Sequence, residues 1–126
     1  MKNLIRAVLP ILFALVLAAP PALQAGPDRY AAVAYSPTAK KWGYGNNYAT
    51  KGEAIARALS ECGYSDAGTN WCKNAWIAIA ISDKSPGGWG SGWGKTPEAA
   101  RQSARRQCRA RNPDARIVAC VSAYGS

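Results

Sequence analysis

The chain has no histidine, one methionine, one phenylalanine and only seven carboxylates in 126 residues. The lack of histidine and the scarcity of acids each remove a class of chemistry. Without histidine, neither a Ser-His-Asp nor a Cys-His arrangement can be assembled. The seven acids are Asp28, Glu53, Glu61, Asp66, Asp83, Glu98 and Asp114. Glu53 and Glu98 stand where helix N-termini favour them, and Asp66, Asp83 and Asp114 fall in turn-like sequence, so no glycosidase-type pair stands out. There is no close Cys-x-x-Cys pair and no cluster of oxygen ligands, and this speaks against zinc and calcium. A phosphate-binding loop is suggested by Gly88-Trp-Gly-Ser-Gly-Trp-Gly94-Lys95-Thr96, but the motif needs glycine at position 89, which is tryptophan. The inventory predicts a protein with no catalytic set, no metal and no cofactor.

Long apolar runs are also missing after the first 25 residues. Before that point, Lys2 and Arg6 precede the apolar stretch Ala7 to Ala19, Pro20-Pro21 break it, and Leu23-Gln24-Ala25 ends in a small residue. This is the pattern of a signal peptide over residues 1–25, with cleavage after Ala25 and an exported domain over 26–126, periplasmic or secreted. No integral membrane segment is expected after cleavage. Four cysteines in such a domain, Cys62, Cys72, Cys108 and Cys120, read as two disulfides. Three connectivities are open. The local pairs Cys62–Cys72 and Cys108–Cys120 would each stabilise by about 2.5–3 kcal/mol; a crossed pair such as Cys62–Cys108 is the alternative.

What the chain does have is a duplication. Tyr30-Ala-Ala-Val-Ala-Tyr-Ser36 returns 46 residues later as Trp76-Ile-Ala-Ile-Ala-Ile-Ser82, and Thr50, Ala54, Ala58 and Cys62 map onto Thr96, Ala100, Ala104 and Cys108 without a gap. Each copy, about 30–74 and 75–124, reads as strand, turn, Gly/aromatic strand and helix. The first strands are Ala31–Ser36 and Ala75–Ser82, and the turns carry Pro37 and Lys40, then Asp83, Lys84, Pro86 and Gly87. Trp42–Tyr48 and Gly88–Gly94 form the second strands. Thr50-Lys-Gly-Glu53 is a capping box and Thr96-Pro97-Glu98 a second N-terminus, each opening a helix with one alanine face ending in cysteine. A last strand spans Ala115 to Tyr124. Its counterpart, Asn70 to Ala78, overlaps the opening strand of the second copy, so one strand is expected to serve both. The prediction is a small disulfide-stabilised α+β domain with about five mostly antiparallel strands and two helices on one side.

Two features point to binding. Glycines between Trp42, Tyr44, Tyr48, Trp89 and Trp93 either expose flat rings or let a helix approach closely. Trp42 and Trp89 are expected to pack, and Tyr44 and Trp93 to be exposed. The second helix carries Arg101, Arg105 and Arg109 one turn apart, with Arg106 and Arg111 beside them. Arg101 and Arg105 stand where the first copy has Ile55 and Leu59. The net charge is +9 overall and +7 once Lys2 and Arg6 are removed, which favours acidic partners.

The run Gly88-Trp-Gly-Ser-Gly-Trp-Gly-Lys-Thr-Pro-Glu-Ala-Ala-Arg, followed by a helix ending in Cys108, together with Ala-x-Ala-Tyr-Ser before the first glycine/aromatic strand, resembles the bacterial exported family called domain of unknown function 4189. The resemblance covers nearly all of residues 26–126. It implies export and disulfides, and it supplies no catalytic residues. The expected function is a non-enzymatic binding protein of the bacterial envelope, in its concrete form an inhibitor or immunity-type protein that neutralises a toxin or hydrolase. Two alternatives stay open, a direct binder of anionic envelope polymers such as lipopolysaccharide or peptidoglycan and an unrecognised hydrolase. An acidic protein or anionic polymer is the expected partner, and nucleic acid is not.

Overall fold

Side chains alternate across a strand, and this alternation sets the layers of the molecule. A computed structural model describes residues 26–84, 88–109 and 114–125. The predicted signal peptide, Pro86 and Gly87 of the second turn, and Arg111 lie outside the described residues. The elements are β1 (Tyr30–Ser36), β2 (Lys41–Tyr48), α1 (Lys51–Cys62), β3 (Gly68–Lys73), β4 (Trp76–Ile81), β5 (Trp89–Gly94), α2 (Pro97–Arg109) and β6 (Arg116–Ser122). They form two antiparallel three-stranded sheets, ordered β2-β1-β3 and β5-β4-β6.

In β1, Ala31, Val33 and Tyr35 point one way and Ala32 and Ala34 the other; in β4, Ile77, Ile79 and Ile81 oppose Ala78 and Ala80. The larger set from both strands forms one core between the sheets, joined by Cys72, Ala75 and Ala123. The alanine sets face the helices. Ala32 and Ala34 pack on Ala54, Ala58 and Cys62 of α1, and Ala78 and Ala80 on Ala100, Ala104 and Cys108 of α2. The layer order is therefore helix, sheet, sheet, helix.

The small residues set the spacing. A Cβ added to Gly43 would lie 2.5 Å from the Ala58 carbonyl oxygen, and one on Gly90 would lie 2.8 Å from that of Ala104. Each helix thus rests its backbone directly on the glycines of an edge strand. Local chemistry fixes the helix ends. Thr50 Oγ1 accepts from the Glu53 N–H at 3.2 Å, Thr96 Oγ1 accepts from the Ala99 N–H at 3.1 Å, and Gly63 closes α1 at φ 81°.

Three expectations are corrected. The described residues form six strands, none of them shared. Only Asn74 and Ala75 separate β3 from β4. Asn74, at φ 53°, exchanges hydrogen bonds with the Arg29 backbone and turns the chain from one sheet to the other. Each helix covers the alanine face of its own sheet, so the two sit on opposite outer faces instead of one side.

The third correction is that no disulfide joins any of the four cysteines. Cys72 faces the core between the sheets while Cys62 faces the α1 layer, so one sheet separates them. Cys108 and Cys120 share the α2 layer but stand at its two ends. The Cys120 thiol approaches the Pro97 carbonyl at 3.9 Å, and eleven residues of helix put Cys108 about 16 Å further along. Cys62 and Cys108 lie in opposite outer layers. Pairing explains the local failure: Ala31 is opposite Cys72 and Ala78 is opposite Cys120, so the two late cysteines point to different faces. Burial pushes the Cys72 thiol up to about 11 and also raises Cys120.

Candidate binding surfaces and family membership

The unbroken 46-residue offset conceals two compensating shifts. Tyr35 pairs with Trp42 and Ile81 with Trp89, so Trp89 stands 47 residues after its counterpart. The register then slips between Tyr30 and Ala32, beside Asn47 at φ 65°, and restores the offset before Thr50. Tyr44 consequently corresponds to Ser91, and the two exposed aromatics expected from sequence are not structural equivalents.

Tyr44 and Trp93 are 45% and 53% exposed, as expected. They lie on β2 and β5, which are edge strands of different sheets. Tyr44 lines a groove with Trp42, Asn46, Tyr48, Arg57 and Glu61, and Trp93 lines another with Asn70, Trp71 and Lys95. Trp89 packs on Tyr35, ring centroids 5.4 Å apart. Gly68 makes room for it, since a Cβ there would lie 2.8 Å from the indole. Opposite Ile81, the position equivalent to Gly68 is Arg116, and with that long side chain in place of glycine Trp42 remains 39% exposed instead of packing.

On α2, Ala100, Ala104 and Cys108 face the sheet. Ser103 and Gln107 flank them on the Trp93 side, where they line a groove with Asn70 and Ser91. Helical geometry puts Arg101, Arg105 and Arg109 on the other flank. Arg101 is held by Glu98 at 2.7 Å. Arg105, Arg106 and Arg109 line a shallow 350 Å³ depression with Gln102, and no ion pair to a carboxylate is found for these three among the described residues. The structure therefore brings the arginines together and leaves Tyr44 and Trp93 elsewhere.

The carboxylates are engaged in the scaffold. Ser36 Oγ and Thr38 Oγ1 each donate to Asp66 at 2.7 Å, and Ser82 Oγ donates to Asp114. These are matching ties from the end of each copy's first strand to the loop before its third. The Ser36 hydrogen bond, with Thr38 behind it, holds the Asp66 carboxyl below its ordinary range. Arg116 does the same for Asp83 through two hydrogen bonds of 3.0 and 3.1 Å. Glu61 pairs with Arg57, Glu53 with Thr50, and Asp28 with Asn74. Sequence reading missed the Ser–Asp ties. Ser36 and Ser82, aligned in the repeat, were the visible half of the signal.

The described residues contain no group of three His, Cys, Asp or Glu side chains placed to hold a metal ion, and no helix long and apolar enough to cross a membrane. Fold and surfaces together describe a duplicated α+β scaffold with a basic helix on one outer face. The chain belongs to the family described as domain of unknown function (DUF4189), whose model matches residues 30–122. No curated protein and no solved structure matches it.

Proposed function

We propose that this is a non-enzymatic exported binding protein that engages an acidic macromolecule through the arginine flank of α2. One observation carries the reading. Arg105, Arg106 and Arg109 cluster without a carboxylate partner among the described residues, where the first copy has Leu59, Ser60 and Gly63. Arg106 and Arg109 stand in the last turn, where they complement the helix dipole; three closely spaced guanidiniums also repel one another, and carboxylate or phosphate recognition is the use that offsets this repulsion. All seven acids have partners in the scaffold, which supports a binding role over acid–base catalysis. In its specific form the partner is an acidic toxin or hydrolase of the envelope that the protein neutralises.

The test is capture of partners from envelope extracts by wild type and by Arg105→Glu/Arg109→Glu. An acidic protein retained by the wild type and lost from the variant supports the proposal. Equal retention by both, or no captured partner, refutes it. Binding to lipopolysaccharide or peptidoglycan in place of a protein would favour the anionic-polymer alternative.

A further inference from the structure

Along one side of the molecule, edge strand β3 of the first sheet runs beside edge strand β5 of the second. Asn70 Nδ2 donates to Ser91 Oγ at 3.0 Å and ties the strands together. Trp71 projects from β3 and Trp93 from β5, 39% and 53% exposed. Tyr30, Lys73 and Lys95 complete a groove of about 520 Å³ around them. Past Asn70 and Trp93 it continues into a second groove of about 500 Å³ lined by Thr69, Ser91, Ser103 and Gln107.

The two compartments differ in chemistry. The first combines indole rings with ammonium groups, and a third lysine, Lys51, has its Nζ 4.7 Å from the Trp71 ring centroid. No carboxylate lines it; Asp28 approaches Lys73 only at 3.7 Å, through an exposed and therefore weak pair. The second offers hydroxyl and amide groups and no charge. A ligand that fits both has flat apolar faces for the rings, hydroxyls for the neutral compartment and a negative group for the lysines. The volumes are those of small-ligand sites. We infer that the β3–β5 groove is a binding site for an acidic oligosaccharide, with a pyranose ring on Trp93, Trp71 walling the groove between Tyr30 and Lys51, and carboxylates at Lys73 and Lys95. Nucleotides and lipids fit less well, since half of the groove is polar and uncharged.

The site is separate from the arginine flank, as Ser103 and Gln107 lie on the opposite side of α2. The experiment titrates full-length processed protein, followed by tryptophan fluorescence, with tetramers of galacturonate, mannuronate and hyaluronan, and with methyl-esterified galacturonate as neutral control. At least one acidic tetramer should bind at least tenfold more tightly than the ester. Lys73→Gln/Lys95→Gln should remove that preference. Trp93→Ala should abolish binding and Trp93→Tyr restore part of it, both with unchanged thermal midpoint. Arg105→Glu/Arg109→Glu should bind as wild type does, so failure here is distinguishable from failure of the partner proposal. Binding by none of the acidic tetramers, equal binding of the ester, or equal competition by single-stranded DNA overturns the inference.

Discussion

At the scale of single residues, the fold depends on absent side chains more than on present ones. Each helix contributes one row of alanine and cysteine to its interface, and the opposing edge strand contributes glycine, so backbone meets backbone. Gly43→Ala would press a methyl group against the Ala58 carbonyl at 2.5 Å, where neither strand nor helix has a flexible side chain to yield. The expected loss is about 1–3 kcal/mol, read as a lower urea midpoint at unchanged slope. Gly52→Ala supplies the contrast. Gly52 lies in α1 with nothing within 4 Å of an added Cβ, and the same change there should stabilise by roughly 0.5 kcal/mol. If the two variants shift the midpoint alike, the close-approach account fails.

At the scale of elements, much was legible and the exceptions share one cause. The first strands, the alanine helix faces, the threonine caps and the glycine strands are all periodic signals, and a period of 2 or 3.6 survives small errors of alignment. Strand register does not survive them, because a slip of one residue turns a side chain to the opposite face. Cys120 therefore joins the α2 layer while Cys72 joins the core, and a pairing that looks alike in both copies fails in both. The break at Asn74–Ala75 was equally hard to see, because two residues between apolar runs look like one long strand unless Asn74 is known to be left-handed. The grooves belong to pairs of strands distant in sequence, which is why Trp71 and Lys73 carried no visible signal while Trp93 did. The thiol geometry makes a direct prediction. Protein prepared without reductant should release four titratable thiols on unfolding, and dithiothreitol should leave its melting temperature unchanged. A mass lower by two hydrogen atoms per pair, or a reductant-sensitive melt, would contradict the layer assignment.

At the scale of the whole molecule, neither copy is complete without the other. Val33 and Tyr35 of the first sheet and Ile77 and Ile79 of the second share one core, so each copy's inner sheet face is covered only by its partner. Ile79→Ala, at a position with no exposed surface, should cost about 2–5 kcal/mol. Amide exchange should then accelerate in β1 as well as β4; protection lost from β4 alone would mean that the halves open independently. The same stacking has an electrical consequence. On α1, Lys51 and Arg57 are balanced by Glu53 and Glu61, whereas α2 sets Arg101, Arg105, Arg106 and Arg109 against Glu98 alone. Since these helices are the two outermost layers, the duplication has produced a particle whose ends are alike in shape and unlike in charge. Such a particle carries a dipole moment along its stacking axis, and it turns to meet a negatively charged surface with the second copy leading.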